Sequence, residues 1–330
     1  MRIRKSVTAL AALLGVVLTT SACSDASTTA SGNFPNKQLR IMAPAAPGGG
    51  WDQTARAAQK AAEGADLAPK GVEVFNVPGA GGTVGLAQLR GERANAHVLM
   101  AMGLVMVGAV ATNKSAVTLD DVTPIARLTG EYEVLVVPKN SPYKTLDDFV
   151  TDLKADTGKM AIAGGSAGGT DQIIAGLLAK DVGADPKKVN YIPFSGGGEA
   201  LAAILGGKVK AGISGVGEWI DQIEAGELRA LAVTSKDRLE DLPDVPTFVE
   251  NDIDLELANW RGLVAPPGLS DRDTTAAVNL VTKLHDSSQW KDTLKQNDWD
   301  DQFLAGDDFA KFLDEEQKRV ETVLKDLGLV

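Results

Sequence analysis

Four times in this chain a short apolar run gives way to a glycine-rich loop and then to a helical pattern. The loops are APGGGWD (46–52), PGAGGTVG (78–85), GGSAGGTD (164–171) and FSGGGEA (194–200), with SGVGEW (214–219) as a fainter fifth copy. A strand that ends in glycines and reopens as a helix is the unit of parallel βαβ structure. Glycine there admits positive φ and lets the backbone approach another group closely. The repetition points to an α/β fold whose ligand loops sit at the carboxyl ends of strands, beside helix N-termini. Unpaired N–H groups and the helix dipole attract anions at such ends. None of the loops holds a lysine or arginine, so an anion bound there would be held by amides.

Strand-like runs at 39–43, 72–77, 98–102, 134–137, 159–163, 190–193, 210–214 and 228–234 surround these loops. Helical patterns fall at 52–63, 83–90, 146–154, 171–180, 198–205 and 219–225, and two longer ones at 274–290 and 307–325 close the chain. In the last, Phe309, Phe312 and Val320 form an apolar face opposite the charges. A chain with roughly 300 residues beyond its leader suits two domains better than one. The stretches 131–138 and 260–267 read as crossings between lobes. Residues 34–130 plus 259–330 are therefore expected to form lobe 1, and residues 131–258 lobe 2.

The N-terminus carries an address. Arg2, Arg4 and Lys5 precede a run of small and apolar residues at 7–18, followed by Thr19-Thr20-Ser21-Ala22. The run is shorter than the roughly 20 residues of a membrane-spanning helix, and the layout is that of a secretory signal peptide, residues 1–22. Cys23, the sole cysteine, excludes an internal disulfide. Its place directly after Ala22 resembles a bacterial lipobox, with Thr20 where leucine is usual, and implies a lipid anchor to the membrane. Residues 23–33, rich in Ser, Thr, Ala and Gly, read as a flexible tether. The chain carries a net charge of −11, and the leader holds three of its cations. So acidic a surface excludes nucleic acid as a partner, favours solubility and offers no long-range attraction to an anion.

Longer strings narrow the reading. RIMAPAAPGGGWDQTAR and VEVFNVPGAGGTVGLAQL are followed in order by YKTLDDFV, KMAIAGGSAGGTD, YIPFSGGGEALAAILGGKV, GELRALAVTSKDRLEDLPDVPTFVE and WRGLVAPPG. Together they resemble the solute-binding subunits of tripartite tricarboxylate transporters. The resemblance implies a two-lobed, periplasmic-binding-protein-like (type II, Venus flytrap) α/β fold. It also implies an extracytoplasmic monomer without cofactor or metal that delivers a small organic di- or tricarboxylate to the transporter's permease subunits. Carried over to this sequence, it assigns one ligand carboxylate to backbone amides and ordered water at Gly49, Gly50, Trp51 and Asp52 and at Gly79, Ala80, Gly81 and Thr83. From the other lobe it assigns Ser166, Thr170, Asp171 and Ser195, with the amides of Gly165, Gly169 and Gly196. Ionised Asp52 would repel a carboxylate, so its expected roles are to cap its helix or to orient a bridging water. Trp51 is bulkier than the residue expected there and bears on pocket size.

Three enzyme readings compete. Gly164-Gly165-Ser166-Ala167-Gly168 matches the G-x-S-x-G elbow of serine hydrolases. A triad needs a histidine base, and the elbow's chain order leaves only His285, inside the helical pattern at 274–290; His97 reads as structural. A secreted serine hydrolase is the alternative function. Gly79, Gly81 and Gly85 miss the dinucleotide spacing by one residue, with Pro78 intruding. Two distant histidines and an N-terminal cysteine make a poor metal set.

Overall fold

The computed structural model describes residues 34–194 and 196–330; the expected leader, Cys23, the tether and the loop residue Ser195 fall outside them. Along the chain run β1 (Leu39–Ala43), α1 (Gly50–Gly64), β2 (Val72–Asn76), α2 (Thr83–Gly91), β3 (Val98–Gly103), α3 (Leu104–Thr112) and β4 (Thr123–Gly130). Then come β5 (Glu133–Pro138), α4 (Leu146–Ala155), β6 (Ile162–Gly164), α5 (Thr170–Asp181), β7 (Tyr191–Pro193), α6 (Gly197–Leu205), β8 (Ala211–Gly215), α7 (Val216–Glu224) and β9 (Leu228–Val233). The chain finishes with β10 (Arg261–Ala265), α8 (Asp271–Asp286), α9 (Ser288–Gln296), β11 (Asp300–Ala305) and α10 (Asp307–Asp326).

The strands form two mixed sheets, one per lobe. The six-stranded sheet has the order β11-β4-β10-β3-β1-β2, and the five-stranded one β7-β6-β8-β5-β9. β1 pairs in parallel with β2 and β3, while β10 runs antiparallel between β3 and β4. In the second sheet β6 is parallel to β7 and β8, and β5 runs antiparallel to β8 and β9. Every residue of β3 is buried, as befits a central strand covered on both faces. α1 lays Ala55, Ala58, Ala61 and Ala62 against the first sheet, the helical spacing of one apolar face.

Two helices depart from the sequence pattern. α3, LVMVGAVAT, follows β3 without a loop and is apolar all round, so it has no period to read; it packs against the first turn of α5 in the other sheet's lobe. The single helix expected at 274–290 is two. The chain breaks at Ser287, whose extended backbone (φ −69°, ψ 149°) N-caps α9 with its hydroxyl accepting from the Trp290 N–H at 3.2 Å.

The chain leaves β4 at Gly130 and enters β5 at Glu133, so the sheet edges bearing the glycine loops face one another. The return passage runs beside it: Asn259 N–H donates to Glu131 O at 2.8 Å, Glu131 N–H to Asn259 O at 3.3 Å, and Tyr132 bridges Ala258. α10 ties the lobes a third time. Phe309 and Leu313 on it are buried in the core below β4. Beyond its far end, Leu327 fills the space over Gly176 of α5, and Lys180 pairs with Asp326 at 2.5 Å.

Candidate functional site

The loop before α1 is held by its own carboxylate. Asp52 Oδ2 accepts from the Gly48 N–H at 2.8 Å and from Arg56 Nε at 3.0 Å, and Oδ1 accepts from Asn76 Nδ2 at 2.8 Å. Burial alone would raise its pKa, but the hydrogen bonds from Arg56, Gly48 and Asn76 and the Arg56 charge hold it below the ordinary value. Asp52 thus fastens the loop to β2; the N-cap position itself belongs to Gly49. Gln53 N–H already bonds to Gly49 O, which leaves the first three amides of α1, Gly50 to Asp52, with no carbonyl behind them.

Arg261, at the start of β10, lies against that helix end: a Cβ added at Gly50 would come within 2.9 Å of its Cζ. The guanidinium is buried and donates to Glu131 Oε2 at 2.6 Å. The positive end of the helix dipole and the guanidinium thus lie together beside Glu131. The Trp51 indole passes over Gly82 and Gly103; Cβ atoms there would meet the ring at 2.7 and 3.2 Å. Its bulk is therefore accommodated along the lobe 1 loops.

The second loop depends on a run of positive φ: Gly79 (140°), Ala80 (48°), Gly81 (60°) and Gly82 (88°). Gly81 is also pressed onto Ala109 of α3, so both its angles and its surroundings require glycine. Thr83 Oγ1 and Asn113 Nδ2 both donate to Ala80 O at 2.9 Å, so the threonine hydroxyl braces the loop.

The lobe 2 loops differ in one respect. Gly165 N–H donates to Asp171 Oδ2 at 2.6 Å, Gly168 N–H to Gln172 Oε1 at 2.7 Å, and Gly169 N–H to Ser166 O at 2.9 Å. Tyr191 OH donates to Gly165 O at 2.8 Å. Before α6, whose N-cap is Gly196, the Gly197 amide serves the Glu218 carboxylate, which also accepts from Ser214 Oγ at 3.1 Å. The amides of Gly165, Gly168 and Gly197, which could have met a ligand anion, are bonded to side chains of the protein itself, and that of Gly169 to a backbone carbonyl. Gly168 O presses on Gly108 of α3, where no side chain would fit, so this loop also closes the contact between lobes.

Glu131, Glu133, Asp171 and Glu218 come together along this edge, with Arg261 opposite. Glu133 is fully buried; its backbone N–H donates to Thr234 Oγ1, but neither carboxylate oxygen has a hydrogen-bond partner. Burial first, then the charges of Asp171, Glu131 and Glu218, push its pKa well above the ordinary range, with partial relief from Arg261. For Asp171, burial outweighs the Gly165 hydrogen bond and, with Glu218 and Glu131, raises the pKa to about 7. Glu218 is raised by burial and then by Glu131. Thr170 Oγ1, at the head of α5, is also buried without a partner.

Ser166 has no base within its loop. His97 precedes the amino end of β3, at the opposite edge from the loops, and lies 5.1 Å from the Phe34 ring. His285 stacks on Phe303 at 3.9 Å, with its ring nitrogens on Asp286 and Asp301. Among the described residues no group of three His, Cys, Asp or Glu could hold a metal ion, and no helix is long and apolar enough to cross a membrane. A cavity of about 510 Å³ beneath the crossings is lined by Arg127, Tyr132, Trp260, Phe312, Glu316 and Arg319. Its arginines are engaged: Arg319 pairs with Glu316 at 2.7 Å and Arg127 lies 4.2 Å from the Phe312 ring centre.

Sequence reasoning placed the loops but missed Glu131, Glu133, Tyr191, Glu218 and Arg261. A usable signal existed for the first two: paired acids opening the otherwise apolar run EVLVVP.

Residues 55–329 match the family described as tripartite tricarboxylate transporter family receptor. Protein BugT of Bordetella pertussis is 28% identical over 295 residues, covering 87% of this chain and 86% of its own. MatC from Rhodopseudomonas palustris, solved with bound malate, aligns with a TM-score of 0.73 at 25% identity over 88% of this chain and 100% of that one. An R. palustris protein solved with adipate aligns at 0.77 and 22% identity, over 89% and 98%.

Proposed function

The chain belongs to the tripartite tricarboxylate transporter receptor family, and from that footing we propose that it catches a small organic carboxylate between its lobes and delivers it to the transporter's membrane permease. Receptors of this family are extracytoplasmic solute-binding proteins, not enzymes. The observation that carries the ligand class is the corner where Arg261 lies against Gly50 at the N-terminus of α1. There the open amides of Gly50 and Trp51 and a buried guanidinium converge, a site built for a carboxylate. Gly49 and the Gly79–Ala80–Gly81 turn border it, and Thr83 and Asp52 hold the two loops in shape. Malate and adipate, bound by structural relatives, are both carboxylates.

Lobe 1 comprises residues 34–130 plus 259–330 and lobe 2 residues 131–258, and the receptor acts as a monomer held to the membrane through lipidated Cys23. Replacing Cys23 with serine releases it to the soluble fraction. A thermal-shift series with organic acids tests the ligand class. A carboxylate at a hundred times its Kd adds about 2.7 kcal/mol to stability. Absence of any shift across mono-, di- and tricarboxylates sinks the reading.

A further inference from the structure

We propose that the ligand is an aminocarboxylate, its carboxylate on the Gly50 and Arg261 corner of lobe 1 and its protonated amine on Glu133 of lobe 2. This rests on the receptor reading above and names the other end of the same ligand.

Three observations converge on Glu133. It has no exposed surface, yet both of its carboxylate oxygens lack a hydrogen-bond partner. A buried polar group without a partner is costly, and a buried carboxylate most of all. Each acid beside it is provided for: Glu131 by Arg261, Asp171 by the Gly165 amide, Glu218 by Ser214 and the Gly197 amide. Only Glu133 is left waiting for a donor.

The surroundings set the chemistry of that donor. Glu131, Asp171 and Glu218 add negative charge around Glu133, and Arg261 is the one base that bears on it. A second ligand carboxylate on this side would meet four acids, and the amides of Gly165, Gly168 and Gly197 are already bonded to side chains of the protein. Among the described residues these acids are not spaced as a metal-ligand set. An ammonium brings positive charge and three donors on one atom. It can bond Glu133, lower the repulsion among the acids and reach the unpartnered Thr170 Oγ1, an acceptor as well as a donor.

Isosteric probe pairs test this by titration calorimetry on the purified receptor: 4-aminobutyrate against succinate, 5-aminopentanoate against glutarate, 6-aminohexanoate against adipate, and L-aspartate and L-glutamate beside them. The expected result is tighter binding of at least one aminocarboxylate than of the dicarboxylate of equal length. Glu133→Gln should weaken that aminocarboxylate by roughly thirtyfold or more, as losing one partner of a buried charge pair does. It should also erase the preference over the diacid. The variant keeps the size of the side chain and removes a carboxyl whose ionisation is disfavoured by burial, so its ligand-free melting temperature should not fall, which separates loss of recognition from loss of fold. Burial and the facing acids Asp171, Glu131 and Glu218 hold the proton on Glu133 in the free receptor, with Arg261 opposing them and Tyr191 adding no charge. An ammonium bound there expels that proton, so affinity measured between pH 6 and 8 should rise with pH. Tighter binding of dicarboxylates, or an unchanged aminocarboxylate affinity in Glu133→Gln, overturns the amine assignment and leaves the carboxylate receptor standing. If no probe in either series binds, the carboxylate reading falls and the amine assignment with it.

Discussion

Asp52 and Asp171 do the same mechanical job in opposite lobes, and they do it under opposite electrostatics. Each sits in the first turn of a helix and reaches back to the amide of a preceding glycine, Gly48 in one case and Gly165 in the other. Asp52 has Arg56 and Asn76 to share its charge and is held below the usual carboxylate range. Asp171 has only backbone amides to offset burial and the acids Glu218 and Glu131, and it is raised to about 7. One turn motif can therefore prepare a surface for an anion or for a cation. What decides is the company the carboxylate keeps.

The contrast can be broken most severely at the residue that faces both lobes. Arg261→Met leaves Glu131 buried without its partner and should cost about 3–5 kcal/mol of stability, read from denaturant unfolding, with loss of ligand binding. Gly50→Val drives a side chain into the guanidinium and should abolish binding while costing about 2 kcal/mol, as overpacking does. Unchanged affinity would mean that the first loop is only a turn.

The two aspartates then give opposite signs. Asp52→Asn loses charge-assisted bonds to Arg56 and Gly48 and should destabilise by about 1.5 kcal/mol at pH 7. Because its folded pKa is depressed, that stabilisation is full above the unfolded value near 4 and disappears as pH falls through the folded one. Asp171→Asn should instead gain about 1 kcal/mol at pH 8, after allowing for a weaker bond from Gly165. The native state of the parent binds more protons than the unfolded chain between about pH 4 and 7, so this carboxyl makes stability decline as pH rises. The advantage of the variant should fade below that window, which melting temperatures taken from pH 4 to 8 would reveal. Lys180→Ala, at an exposed pair with Asp326, should leave the melting temperature essentially unchanged. A clear fall would show that the third tie between lobes depends on charge.

The glycine loops and the strands before them were readable because parallel βα units repeat a local pattern. β4, β10 and β11 were not. β4 carries Pro124 and Arg127, β10 lies inside a stretch that reads as a crossing, and β11 (DDQFLA) is a half-exposed edge. α3 escaped because a helix buried on all sides has no polar stripe. The site divided in the same way. Glycine positions announce their backbone needs locally, whereas residues 131, 133, 171 and 218 meet only because β5, β8 and α5 bring distant segments to one edge. A charge cluster of that kind is a property of topology.

α10 adds a constraint of a different kind. Two crossing strands alone would let the lobes swing like a door on its pin. A helix seated in one lobe, with Leu327 beyond its end lodged over Gly176 of the other, works as a connecting rod and removes a degree of freedom. Gaping would have to draw that leucine from its slot, whereas rotation about the rod's own length would not. A turn about α10 therefore disturbs this contact less than gaping does.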